Sequence, residues 1–252
     1  MIRRSNSRRS RASHRASGGA LSAVIGVLGE LLLTAGVLLL LFLCWQLWWT
    51  DVVADREQAD IVNSLDSEWG AVDEAKIAPP QTGPPPVPDT LGDGKVWGSL
   101  RVPQFGRPRV PLAEGVSLEK VLNVKGVGHY PGTALPGQVG NFSVAGHRNT
   151  YGRPFEDIAS LEDGDPIVVE TKDAFYVYKV TGHEIVKPSQ SEVIAPDPDH
   201  PGAQPKRRML TLTACHPMYS ARERYIVHAE FDYWTKRADG IPKELATNGK
   251  GK

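Results

Sequence analysis

Leu31 to Trp49 reads LLLTAGVLLLLFLCWQLWW and carries no formal charge. At about 1.5 Å of rise per residue, a helix of this length matches a hydrocarbon core of roughly 30 Å. Apolar residues run all round the helix, and Trp45, Trp48 and Trp49 gather at one end as an interfacial aromatic belt does. Glu30 stands at the other end, where its carboxylate reaches the headgroup level. A cleaved signal peptide has a shorter apolar region followed by a small-residue cleavage site. The tryptophan-rich exit does not fit that, so one uncleaved transmembrane signal anchor is expected over residues 21–49.

The anchor decides how the charge is read. Lys plus Arg and Asp plus Glu both number 29, yet Arg3, Arg4, Arg8, Arg9, Arg11 and Arg15 crowd the first segment with no acidic residue among them. A basic arm on its own invites nucleic acid. Ahead of a membrane span it reads instead as a cytoplasmic tail, 1–20, and puts the rest of the chain outside the cell membrane. No nucleic-acid partner is expected.

Beyond the span, residues 50–94 divide into a mixed-charge stretch with spaced apolar residues, read as a short helix, and PPQTGPPPVPDTLGDG. The latter cannot build a core and predicts an extended polyproline spacer that holds the next domain off the lipid. The folded domain is placed at 95–234, with a polar tail over 235–252. Short strands are expected at VWGSLRV, NFSVAGH, DPIVVET, AFYVYKVTG, HEIVK, RMLTLTA and RYIVHAEF, separated by Gly and Pro clusters. SLEKVLN, capped by Ser117, and PFEDIASL are the helix candidates. Many short strands with few helices predict a mainly β domain, a barrel or sandwich.

Of two cysteines, Cys44 lies in the apolar span, which leaves Cys215 without a disulfide partner in a compartment that permits disulfides. A lone strand cysteine is most often an inert core side chain. Here the strand ends at Cys215 and runs into a polar loop, where an exposed thiol is an oxidation hazard unless it is used. A thiol with an ordinary pKa near 8.5 is mostly protonated at neutral pH, so its use needs a base or a cation beside it. His147, closing NFSVAG, has the most fitting setting among the seven histidines. His216 adjoins the cysteine but points to the opposite strand face, and His129 falls in a Gly/Pro-rich loop where it can line a groove. Arg224 opens the second strand and offers guanidinium donors to an acyl oxygen that becomes an oxyanion. Arg222 lies on the same face, so periodicity leaves both open. Cys215 with His216 lacks the several closely spaced Cys or His ligands of a zinc site, and Asp197, Asp199 and His200 cluster in APDPDHPG but, with three prolines in and around them, read as a rigid loop with solvated charges. No phosphate-binding Gly-rich loop precedes a helix, so no cofactor and no metal are expected.

These stretches resemble a known family. LTLTACHP is similar to the sortase nucleophile motif TLxTC, AGHR to the sortase histidine segment, RYIVHAEF to the strand that begins with the sortase arginine, and KVWGSLRVPQFG to the opening strand of the domain. The resemblance implies an eight-stranded β-barrel with short helices, with Cys215 as nucleophile, His147 as its proton-handling partner and Arg224, rather than Arg222, as oxyanion or substrate-positioning residue. It implies cleavage of the Thr-Gly bond in an LAxTG/LPxTG-like signal on a secreted protein, through a thioester, and transfer to an amine of a peptidoglycan precursor. GHYPGTALPGQVGNFSVAGHR resembles class E members, which prefer LAxTG. Ala214 departs from the motif's threonine, and the expected consequence is altered substrate fit. Pilin-polymerising sortases often carry a second span, which this sequence does not show. An L,D-transpeptidase has histidine ahead of its cysteine, where this chain has CHP. A non-enzymatic wall-binding domain would bury the thiol.

Overall fold

The computed structural model describes residues 19–89 and 92–246, so most of the basic tail and the end of the polar tail lie outside the described residues. Two compact units result, Met1–Gln46 and Leu47–Lys252. The first is helical from Gly19 onward, with its large apolar side chains exposed, as a lipid-facing segment requires. It belongs to the one helix among the described residues that is long and apolar enough to cross a membrane.

That helix, α1, runs from Gly19 to Trp69. The separate short helix expected after the span is therefore its continuation. No glycine or proline interrupts the stretch after Gln46, and the helix ends where Gly70 takes a left-handed φ of 83°. Ala54, Gln58 and Leu65 are buried on one face, at the 3.6-residue period of a helix laid on a core.

The domain is a closed barrel of eight strands: β1 (Val96–Arg101), β2 (Val110–Glu114), β3 (Val127–His129), β4 (Gly140–Gly146), β5 (Pro166–Thr171), β6 (Ala174–Val186), β7 (Arg208–His216) and β8 (Glu223–Lys236). Their order around the barrel is β1-β2-β3-β4-β7-β8-β6-β5, with β2–β3 and β4–β7 parallel and the other pairs antiparallel. Closure removes the exposed sheet edges that an open sheet of this size would present. Phe142, Tyr176, Tyr178, Leu112, Ile167, Leu210 and Leu212 fill the interior from five strands.

Two strands were absent from the sequence reading. β2 contains Pro111, which demotes a run in any pattern-based assignment, and β3 is three residues inside a Gly/Pro-rich loop. AFYVYKVTG and HEIVK join as β6, whose register slips between Val180 and Gly182, where a strand end was expected. SLEKVLN closes a single turn over Leu118–Leu122 capped by Ser117, and PFEDIASL keeps only a turn at Ile158–Ser160.

The proline-rich stretch is not a free spacer. Ala78 N–H donates to Ile241 O at 2.8 Å, Gln81 N–H to Trp234 O at 2.9 Å, the Trp234 indole to Gly83 O at 2.9 Å and the Tyr176 hydroxyl to Pro86 O at 2.7 Å. Extended proline-rich backbone leaves its polar groups unpaired, and the barrel takes them as both acceptor and donor. These contacts lie toward the Lys236 end of β8, away from the Arg224 end.

Candidate active site

Strand register brings the three sequence candidates abreast. In the β7–β8 ladder Cys215 pairs with Arg224. On its other side β7 runs parallel to β4, with Ala145 opposite Thr213 as the last pair, and His147, the residue after β4, lines one cavity with Cys215. The apolar alternation of three neighbouring strands thus ends in a row His147, Cys215, Arg224 at one rim of the barrel. Core-facing Leu210, Leu212 and Ala214 hold β7 in place, and the chain emerges to half-burial at Cys215.

Cys215 is a free thiol and lines a cavity of about 340 Å³ with His147, Arg148, Thr150, Tyr219 and Ser220. His147 is half-buried, and burial pushes its imidazole pKa below the ordinary value, because the imidazolium loses hydration there. Its Nε2 lies 2.7 Å from Asn123 Oδ1. Since that oxygen only accepts, Nε2 carries the proton and the neutral ring keeps Nδ1 free to take one. The Tyr151 ring packs against the imidazole at 5.2 Å between centroids.

Arg224 takes its place in the row without contacting the thiol. Its Nη1 donates to Ala221 O at 3.0 Å and Glu223 O at 2.9 Å, and the side chain lines a smaller cavity of about 120 Å³ with Tyr130, Val186, Ile194, Thr213 and Ile226. Arg222 is exposed.

Several residues matter that the sequence reading passed over. Arg148 is 7% exposed, donates to His216 Nδ1 at 3.0 Å, and lies over the Tyr225 ring at 5.4 Å. Its Nη1 also reaches Cys215 O at 3.5 Å, so a guanidinium braces the end of the cysteine strand. Asn123 sits 24 residues before the histidine, in a turn that only the fold carries to it. Spacing gave no signal for either.

The other residues singled out in the sequence have surroundings of their own. His129 does not line a groove: it is 2% exposed between Trp97 and Phe142, with Nδ1 2.8 Å from Glu114 Oε2. His216 is engaged by Arg148 and Tyr225. Asp197 and Asp199 both pair with Arg207, which holds the Asp199 carboxyl below the usual range. Ala214 is 3% exposed in the apolar core, so its missing hydroxyl bears on packing rather than on substrate fit. The hydroxyl at the groove is Thr213, one residue back on the opposite face, 3.0 Å from Tyr130 Oη.

The bond to Asn123 makes a prediction. Asn123→Ala leaves Nε2 to water and frees the ring to turn, so turnover falls by about tenfold, roughly the ~1.4 kcal/mol of one well-placed hydrogen bond. Steady-state kinetics of Asn123→Ala beside the isosteric Asn123→Asp, which keeps an acceptor, checks this.

Known proteins resemble this chain in sequence and in fold. A family profile described as "Sortase domain" matches residues 100–232. Over 235 residues the chain is 38% identical to Sortase SrtE1 of Streptomyces coelicolor, covering 91% of this chain and 63% of that protein's length. Among solved structures it is similar to the SrtA sortase from Actinomyces oris, with 44% identity and a TM-score of 0.64 over 69% of this chain and 100% of that one. It is also similar to Sortase E1 from Streptomyces coelicolor, solved with a tripeptide in the active site, with 41% identity and a TM-score of 0.57 over 60% of this chain and 97% of that one.

Proposed function

Because the chain belongs to the sortase family of cysteine transpeptidases, we propose that it is a membrane-anchored sortase whose catalytic barrel, Val96–Lys236, joins secreted proteins to a cell-wall amine. The single observation that carries this reading is Cys215 at the end of β7, paired with Arg224 of β8 on one side and sharing a cavity with His147, just after β4, on the other.

In the proposed reaction the Cys215 sulfur, its proton passed to His147, attacks the threonine carbonyl carbon of a Thr-Gly bond. Charge gathers on the carbonyl oxygen, and Arg224 turns from its loop carbonyls to donate to it. The C–N bond breaks as the imidazolium protonates the leaving glycine amine, which departs with the signal's tail, and a thioester remains. An incoming amine then attacks the thioester. His147 takes the amine's proton and returns it to the departing sulfur, an amide forms and the thiol is regenerated. Neutral His147, with its free Nδ1, suits the first proton transfer.

The confined cavity beside Arg224, walled by Tyr130, Val186 and Ile194, favours a signal with a small second side chain, LAxTG over LPxTG. The larger cavity on the His147 side leaves room for the amine, which we assign to a peptidoglycan precursor. The arginine-rich segment before the apolar helix supports a cytoplasmic N-terminus with the barrel outside.

The test uses the full chain in detergent, because Leu47–Lys252 forms one compact unit that a cut within the linker would break. LAxTG and LPxTG peptides are supplied in competition with a small amine, and products are read by mass spectrometry. Cleavage at Thr-Gly with transfer to the amine, LAxTG in excess, is the expected outcome. Faster turnover of LPxTG overturns the signal assignment, and cleavage elsewhere overturns the reaction.

A further inference from the structure

The loop that follows His147 has an unusual backbone. Tyr151, Gly152 and Arg153 take φ values of 56°, 78° and 47°, three successive residues in the left-handed region, two of which carry side chains that disfavour it. Such a run persists only where its surroundings hold it. Here each residue is held from outside the loop. Gln58 Nε2 donates to Tyr151 O at 3.1 Å, Asp51 Oδ1 accepts from Gly152 N–H at 3.3 Å, and Asp51 Oδ2 lies 3.2 Å from Arg153 Nε. Arg107, from the turn before β2, donates to Gly152 O at 3.2 Å. Gln58, a polar side chain, is itself 7% exposed. A Cβ on Gly152 would come within 2.9 Å of Asp55 Oδ1 and 3.0 Å of Gln58 Nε2, so helix and loop meet with no spare room.

What this arrangement presents to the active site is Tyr151, whose ring covers the His147 imidazole. We propose that the Asp51–Gln58 face of α1 is a positioning element of the active site: it holds Tyr151–Arg153 in the one conformation that keeps Tyr151 packed on His147. The inference rests on His147 being the proton-transfer partner, as proposed above. Tyr151, Asp51 and Gln58 are positioning residues: Tyr151 acts through its packing on the imidazole, and Asp51 and Gln58 act through the loop that carries it.

The consequence separates this role from a merely structural one. Burial lowers the His147 pKa. Releasing Tyr151 admits water to the ring, so the pKa rises toward the ordinary imidazole value and the acid limb of kcat/KM moves to higher pH. Loss of folded protein lowers the amplitude of that profile without moving its limb. The ionisable neighbours of His147 are Cys215 and Tyr219, which line the cavity with it, Tyr151 against the ring and Arg148 beside it, while Asp51, Asp55, Arg107 and Arg153 form the outer layer. Gln58→Ala and Gly152→Ala alter none of these charges.

The experiment compares full-length wild type, Cys215→Ala, Gln58→Ala and Gly152→Ala on an LAxTG peptide with a small amine, across pH. Both brace variants are expected to lose about fivefold in kcat with KM for the peptide little changed, and to shift the acid limb upward. Wild-type kcat and an unmoved limb in both variants, with wild type active and Cys215→Ala inactive, overturn the brace alone. An inactive wild type, or an active Cys215→Ala, overturns instead the catalytic reading on which it rests.

Discussion

Cys215→Ala is expected to abolish transfer, with kcat/KM below about 10⁻⁴ of wild type, because every later step of the proposed reaction proceeds from the thioester and no second nucleophile stands beside it. The other free cysteine, Cys44, lies in the apolar helix. The same substitution should leave the fold intact. Cys215 is half-buried at a strand end, and Arg148 reaches its backbone carbonyl rather than its sulfur, so alanine removes little buried surface and none of that bond. The thermal midpoint is therefore expected to change by less than about 1 kcal/mol equivalent. Activity in parallel with thermal unfolding checks both halves. A variant that loses activity only in step with stability contradicts the assignment.

The second large effect belongs to His147. His147→Ala removes the group that, in the proposed reaction, moves the proton in both halves, and a fall of about 10³ in kcat is expected. The wild-type pH profile carries the same information with a sign. Burial disfavours the imidazolium, so the folded pKa lies below the ordinary 6.5 and the ring is neutral at and above that pH. Lowering the pH through the depressed value protonates Nδ1, and the ring can no longer accept the thiol's proton. The acid limb of kcat/KM should accordingly fall below pH 6.5, measured on wild type, and vanish in the residual activity of His147→Ala. A limb at or above 6.5 contradicts the buried, neutral base.

How much of this was legible in the sequence depends on where each signal lies. Leu210, Leu212 and Ala214 alternate with Thr211 and Thr213, and that period makes Cys215 the end of a strand, although both of its faces prove buried; the next strand then returns Arg224 beside it. An eight-stranded closed barrel was implied by motif resemblance, while local patterning reached only a barrel or a sandwich. β3 is too short to show a period, and β2 is masked by Pro111. Asn123, Arg148 and Tyr151 were out of reach for another reason. Their partners are set by barrel register and loop conformation, and no local pattern in an isolated sequence encodes a contact between a turn and a distant ring. The proline-rich stretch misled because composition reports what a segment cannot bury by itself, not what a neighbouring strand can offer its carbonyls. His129 misled similarly: Gly and Pro around it suggested a loop, whereas the residue is a buried partner of Glu114.

The central claim is that Cys215 carries the acyl group. Intact-mass spectrometry of the full-length protein, mixed with an LAxTG peptide and no amine and quenched in acid, tests it most directly. The account predicts a protein species heavier by the peptide up to its threonine, located on Cys215 by digestion, discharged when amine is added and missing from Cys215→Ala. An adduct on any other residue, or amine-dependent product from a protein that never acquires one, would contradict it.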